Sequence, residues 1–430
     1  MEQPSGRAAG STPLAGPAAA TRPSFGSRIA GIEGLRAVAA GAIVIYHVWA
    51  YSSPDGIRVE RRLLDKLLPD LQFGVTLFFA LSGFLLYRLF AAALLRGGAF
   101  PSVTAYLRNR ALRIVPVYWV ILLATAYVLR SALVRDGADI RSGPGFGAGL
   151  LLRSMAFVQN YDPDTLITGI GPAWTLCVEV VFYVLLPLLA LAAWTVARRI
   201  SRRSTRRLVA LLPAGLLLLV GLSGKFAAAH VVPPAAPYAG FLSDWHSVVE
   251  RSFWCQADLF AFGMVVAVAR IEWEDGLLRL PRHWRTLAVA GMLAGYALVA
   301  RATHFGEQLS YSGSNTLMAF VCALLIALVV LPPRDAERQP RLVRVLEWRP
   351  LVAVGVVSYS LFLWHEPLVR AMTANGLTFG GTAGLPANVL VVGAVALVLS
   401  AASYVLVEAN VLRLKSRSYG RVRSNPAERP

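Results

Sequence analysis

Two histidines and two carboxylates stand inside apolar stretches of this chain, where ionisable side chains are expensive and are kept chiefly for function. They are His47, Glu179, Asp258 and His365. Histidine is poised near neutral pH, and a carboxylate can orient it and stabilise its cation, so the set has the composition of a general acid/base site. Counting along the apolar runs puts all four at one depth, in the outer third of a membrane. His47 and His365 each lie roughly 15 residues into an outward-running helix, and Glu179 and Asp258 roughly six or seven into inward-running ones. His47 and Glu179 are the catalytic pair to expect, with Asp258 and His365 as further candidates. The blander role for each is a polar group that holds helices together or reaches the headgroups. No two of these residues have the i, i+4 spacing that sets metal ligands on one helical face, so no metal is expected. The cysteines, Cys177, Cys255 and Cys322, all fall in hydrophobic runs, where a thiol packs as a small apolar group.

A second constellation is cationic. Arg110 and Arg113 occupy adjacent turns near the inner end of one run, and Arg36 lies inside another, 11 positions before His47. Guanidinium groups take phosphates bidentately, and an acyl-CoA donor carries several. Along one helix Arg36 and His47 are about 16 Å apart, similar to the reach of an extended pantetheine arm. A donor held by its phosphates at the inner face would therefore present its thioester near His47. Ordinary topology also places arginines at inner helix ends, which is the competing explanation for Arg110 and Arg113.

The elements that must position these groups are transmembrane helices. Of 430 residues, 56% are hydrophobic and 15% charged, and the mean hydropathy is +0.56, outside the range of ordinary soluble domains. Ten apolar runs of membrane-crossing length lie at roughly 32–50, 71–95, 112–130, 172–196, 208–223, 252–269, 286–300, 315–332, 350–371 and 387–411. The expected fold is an all-α polytopic membrane protein of about ten transmembrane helices with both termini cytoplasmic. Residues 1–28, rich in Ala, Gly, Pro and Ser, read as a disordered cytoplasmic tail rather than a signal peptide. Residues 29–413 form one transmembrane domain, and 414–430 a basic cytoplasmic tail. The net charge of +18 argues for this topology rather than for nucleic acid. With a cytoplasmic N-terminus most of the Lys and Arg fall on the inner side, above all Arg198, Arg199, Arg202, Arg203, Arg206 and Arg207. The longest connection, 131–171, is turn-rich, with room for one short amphipathic helix around 148–158, and would cap an outward-facing site.

At these residues the chain resembles the bacterial acyltransferase-3 family of membrane O-acyltransferases, over about 32–412. A basic residue, ten others, then His appears as Gly34-Leu35-Arg36 through Tyr46-His47. FFALSGFLL at 78–86 follows, then Arg110-Ala-Leu-Arg113 running into IVPVYW, then WTLCVEVVFY at 174–183. SYSLFLWHEPL at 358–368 and Tyr404 with Val407-Glu408 look like the family's last two helices. Two positions depart from the pattern. Glu366 follows His365 where an aromatic residue is usual, and Val180 follows Glu179 where many members carry a second acid.

The resemblance implies a stand-alone enzyme of the bacterial plasma membrane, working in the lipid bilayer. It would move an acyl group, acetyl from acetyl-CoA above all, from a cytoplasmic acyl-CoA co-substrate to a hydroxyl. Acceptors would be a cell-envelope glycan or glycolipid, or a glycosylated metabolite such as a macrolide. On this basis His47 is the general base or a transient acyl carrier, Glu179 orients it, Trp174 and Tyr183 shape the pocket, and Arg36, Arg110 and Arg113 hold the donor. A proton-coupled transporter or flippase is the alternative, since buried His and carboxylates also serve as proton relays. A non-catalytic scaffold is a further one.

Overall fold

The computed structural model describes residues 28–52, 64–136, 139–232, 244–304, 311–333 and 339–411. The expected tails, 1–28 apart from Arg28 and 414–430, lie outside the described residues. The chain folds as an all-α, multi-pass membrane protein. Its long helices are α1 (Ile32–Tyr51), α2 (Gly74–Arg96), α3 (Val103–Leu123), α4 (Trp174–Ala197), α5 (Arg203–His230), α6 (Phe253–Glu274), α7 (Trp284–His304) and α8 (Tyr311–Val330). Then come α9 (Arg349–Val356), α10 (Ser358–Ala374) and α11 (Gly381–Ser403). Among the described residues eight helices are long and apolar enough to cross a membrane, and nine if the bent pair α9–α10 is one span. α7 covers the expected run 286–300 and is not among the eight.

The bundle closes around α2 and α6, the most buried of the crossing helices together with their short leaders. They approach closely because each offers a glycine to the other. Gly83 faces the Phe260 backbone and Gly263 the Ala80 carbonyl, and a Cβ at either position would overlap those atoms. This is how helices associate where lipid supplies no hydrophobic drive. α5 reaches α6 in the same way through Gly221 and Gly224. It is longer than the expected 208–223, starting inside the arginine cluster and carrying Lys225 into the bundle at 7% exposure. Its first residue, Arg203, reaches Glu272 at 2.8 Å and Asp275 at 2.6 Å.

Two irregularities set up the site. The ninth expected span is broken: α9 and α10 meet at Val357 with a bend of 73°. The bend turns Ser358, Tyr359 and Phe362 inward, and the Tyr359 hydroxyl donates to the Ile114 carbonyl of α3 at 3.0 Å. The connection from α3 to α4 is the second, and it is folded rather than merely irregular. It holds an antiparallel hairpin, Leu133–Asp136 with Asp139–Ser142, the exception to the all-helical expectation. A short helix, Ala148–Met155, is held to α3 by Tyr118 Oη on the Ser154 carbonyl (3.0 Å) and Trp119 Nε1 on the Met155 carbonyl (3.1 Å). Leu133 and Gly169 exchange backbone hydrogen bonds of 2.8 and 2.9 Å. The following Gly171–Ala173 turn is fully buried, so the connection dips into the bundle before α4 begins.

Candidate active site

α1 and α10 bring the two histidines into contact. His365 Nε2 lies 2.9 Å from His47 Nδ1, with the rings 4.8 Å apart. Each Nδ1 also faces the carbonyl one turn back on its own helix, Ile43 for His47 and Leu361 for His365, both at 3.1 Å. A carbonyl only accepts, so His365 carries its proton on Nδ1 and offers a lone pair at Nε2. His47 then donates from Nδ1 to His365, bifurcated towards Ile43. The proton sits at the back of the His47 ring and leaves Nε2 as a free lone pair. This is the arrangement a general base needs, with the orienting group being an imidazole instead of a carboxylate.

His47 lines a cavity of about 300 Å³. Its walls include Tyr46, Tyr51, Trp174, Thr175, Arg251, Glu366 and Arg370, and its roof is Leu133, Ile140, Ile167, Gly171 and Pro172 from the α3–α4 connection. The expected cap is thus a lid seated on this cavity. His365, with no exposed surface, stands behind His47. Tyr51 stacks on His47 at 5.5 Å, and the Arg370 guanidinium lies 3.8 Å from the centre of the Tyr51 ring. Trp174 packs against the Arg251 guanidinium at 5.6 Å. Arg370 is paired with Glu366, one turn earlier on α10.

A second, smaller cavity of about 100 Å³ is lined by Arg36, Arg110, Arg113, Ser82, Glu179, Tyr183, Ser358 and Tyr359. The two cavities share Val75, Thr175 and Phe362 in their linings, so these three side chains divide them. All three expected arginines meet in this second space. Arg110 Nε is buried there without a hydrogen-bond partner, and the nearest carboxylate to Arg36 is Glu33 at 3.5 Å. Three guanidinium groups and one carboxylate, Glu179, line the space, with Glu33 and Glu408 close behind Arg36, so an anionic ligand would meet three cationic donors there. Its volume is below that of ordinary ligand pockets, so it suits a phosphate group or a pantetheine tip and not a whole nucleotide.

Several expected roles change. Glu179 does not orient His47. Its carboxylate accepts from Ser82 Oγ at 3.1 Å and from Tyr183 Oη, both in the arginine cavity. The buried turn at 171–173 sets the start of α4 inside the bundle, so Glu179 lies beyond the histidines and not level with them. Tyr183 goes with it and shapes the arginine cavity, whereas Trp174 lines the histidine cavity. Asp258 belongs to neither space. It is fully buried, paired with Lys225 of α5 and accepting from Thr316 Oγ1 of α8 at 2.6 Å, so its charge is consumed in tying three helices. Sequence reasoning missed Lys225, Arg251 and Arg370. The signal for Arg370 was its i, i+4 spacing from Glu366, which marks an ion pair on one helical face. The motif residue Glu408 is buried and accepts from Ser360 Oγ at 2.5 Å. Cys177, Cys255 and Cys322 are free and buried, and among the described residues no three His, Cys, Asp or Glu are grouped to hold a metal ion.

Comparison with known proteins adds the following. The acyltransferase domain family matches residues 29–405. The "Putative membrane-bound transacylase BcsY" of Komagataeibacter xylinus is 27% identical over 394 residues, covering 90% of this chain and 84% of that protein. The "Putative peptidoglycan O-acetyltransferase YrhL" of Bacillus subtilis is 21% identical over 354 residues, 80% of this chain and 49% of the relative. The "O-acetyltransferase OatA" of Staphylococcus aureus is 23% identical over 350 residues, 79% of this chain and 50% of the relative. The chain therefore spans most of the first and about half of the other two. No solved structure matches it.

Proposed function

Because the chain belongs to the acyltransferase domain family of membrane proteins, we propose that it transfers a short acyl group, acetyl in particular, from acyl-CoA to a hydroxyl of a cell-envelope glycan or glycolipid. The observation that carries this reading is the pair of adjoining cavities, one holding a histidine with a free lone pair and the other three arginines. The donor's phosphates bind at Arg36, Arg110 and Arg113, and its thioester reaches past Val75, Thr175 and Phe362. Arg36 and His47 stand 11 residues apart on the unbroken helix α1, so the span to be bridged is about 16 Å. On the other side the acceptor hydroxyl donates to His47 Nε2. As its oxygen attacks the thioester carbonyl carbon, the proton passes to Nε2, the C–S bond breaks, and the thiolate leaves with that proton. The imidazolium formed in between is held by His365 and the Ile43 carbonyl.

An envelope acceptor is favoured over a glycosylated metabolite because one relative is named for peptidoglycan. The arginine end is the cytoplasmic one on this reading, since the donor is made in the cytoplasm.

The test is acyl transfer from radiolabelled acetyl-CoA to an envelope glycan extract by purified protein in nanodiscs. We expect His47→Ala to lose ~100-fold or more, the scale of a lost acid/base group. Transfer by His47→Ala within about threefold of wild type would remove His47 from the mechanism.

A further inference from the structure

We propose that Glu366 and Arg370 form the recognition site for the acceptor, and that it takes a neutral, polyhydroxylated ring. One hydroxyl of that ring meets His47 while a neighbouring hydroxyl donates to the Glu366 carboxylate. This rests on the acyltransferase reading and adds to it the chemical class of the acceptor.

Glu366 follows His365 directly on α10 and sets a charged group in the wall of the histidine cavity. Only 1% exposed, it is bonded through Oε1 to Arg370, while Oε2 is buried with no hydrogen-bond partner. An ionised carboxylate accepts at both oxygens, so this wall carries an unmet demand for a donor. A hydroxyl is the donor that meets it without upsetting the charge. Glu366 already balances Arg370, and the other cation lining the cavity, Arg251, lies 4.0 Å from Glu250. A second ammonium would be repelled by the two guanidinium groups, and an anion would have to displace Glu366.

The remaining walls fit the same class. Tyr46, Tyr51 and Trp174 supply flat apolar faces, and the Tyr51 and Trp174 rings are each held by a guanidinium, Arg370 and Arg251. Few fixed polar groups among aromatic walls give orientation as well as affinity. The cavity's 300 Å³ lies at the small end of ligand sites, with room for a single ring and not for a chain of several. An alcohol with one hydroxyl can satisfy His47 or Glu366 but not both. A site built to bond two hydroxyls rejects the analogue lacking one, because a buried polar group is then left bare.

The experiment compares acetyl transfer to methyl glucoside, methyl galactoside and methyl N-acetylglucosaminide with transfer to cyclohexanol. The proteins are wild type, Glu366→Gln, Glu366→Ala and the double variant Glu366→Ala with Arg370→Ala, which leaves no unpaired guanidinium behind. Wild type should favour at least one glycoside over cyclohexanol in kcat/KM by about tenfold or more. That ratio should collapse in both Ala variants through the glycoside KM and fall less in Glu366→Gln, whose amide oxygen still accepts. Partial misfolding lowers both rates and leaves the ratio unchanged, so the ratio isolates recognition. A preference equal in wild type and variants, or a wild type that hydrolyses acetyl-CoA yet acylates none of the glycosides, overturns this inference alone. A wild type with neither hydrolysis nor transfer overturns the acyltransferase reading and this inference with it.

Discussion

Replacing His365 separates a histidine that does chemistry from one that positions it. In His365→Leu the Nε2 acceptor 2.9 Å from His47 Nδ1 disappears, and His47 keeps only the Ile43 carbonyl at 3.1 Å. Two things would be lost on the proposed mechanism: one of the two bonds that fix the tautomer of His47, and one acceptor for the imidazolium that the mechanism forms there. A hydrogen bond to a charged group contributes about 1.5–3 kcal/mol, which corresponds to roughly 10- to 150-fold in rate. Because the Ile43 carbonyl persists, the lower half of that range is expected, about 10- to 40-fold in kcat. Donor KM should stay within about twofold of wild type, because the arginine cavity is a separate space. His365→Gln places a carbonyl oxygen near the vacated acceptor and should recover part of the loss. The assay is steady-state acetyl transfer in nanodiscs, with size-exclusion profile and Tm recorded for each variant. Leu within about twofold of wild type would refute the positioning role. A loss matching His47→Ala, with Gln no better than Leu, would make His365 the base and reverse the order of the pair.

Three further outcomes follow from packing and charge. Asp258→Ala leaves the Lys225 ammonium buried without its counter-ion and should destabilise the protein by about 3–5 kcal/mol, lowering Tm sharply. Asp258→Leu with Lys225→Met together should restore much of that Tm, and a double variant no better than the single would show the pair is not what holds the helices. Gly263→Val drives a side chain into the Ala80 carbonyl and should abolish monodisperse protein in detergent, whereas Gly41→Val, with open space around it, should be tolerated in the same gel-filtration assay. Asp275, just beyond α6, sits below the ordinary carboxylate range: burial works against this, but hydrogen bonds from Arg96 and Arg203 outweigh it. A depressed carboxyl stabilises above its unfolded pKa and loses that contribution as pH falls through the folded one. Tm should therefore drop between about pH 4 and lower values more steeply in wild type than in Asp275→Asn, and parallel curves would deny the linkage.

The positions of the helices were legible because a long apolar run has few alternatives in a bilayer. Their rotations and small vertical offsets were not. Counting from the ends of apolar runs placed His47, His365, Glu179 and Asp258 at one level, and the count served for α1 and α10. It failed for α4, where the buried turn at 171–173 already occupies membrane-depth space, so Glu179 lies a cavity further on. Asp258 takes the helix-tying role that stood beside the catalytic one, with a partner outside the expected spans. The expected span of α5 ends at 223, so the lysine that neutralises Asp258 falls outside it, although the helix continues to His230. Glu366 was visible as a departure from a motif, but only the coordinates set it in the same cavity wall as His47.

Why this site pairs His47 with a second histidine and keeps its carboxylate elsewhere follows from the cost of charge. An ionised carboxylate beside His47 would have to be desolvated in every resting molecule, and a buried charge needs a partner at all times. Two imidazoles joined by one shared proton, each anchored by a helix carbonyl, satisfy their donors with no formal charge. On the proposed mechanism charge would arise on His47 only while the acceptor proton resides there, opposite the oxyanion of the tetrahedral species, so the two charges would form and vanish as a pair. The permanent charges of the histidine cavity are paired, Arg370 with Glu366 and Arg251 beside Glu250, whereas the three guanidinium groups of the arginine cavity await a polyanionic donor, with Glu179 neutralising them in part beforehand. Val75, Thr175 and Phe362 keep the two regimes apart. Enlarging that divider should let water reach the thioester, so the ratio of hydrolysis to transfer should rise in Phe362→Ala. An unchanged ratio would mean that the two cavities communicate by another route.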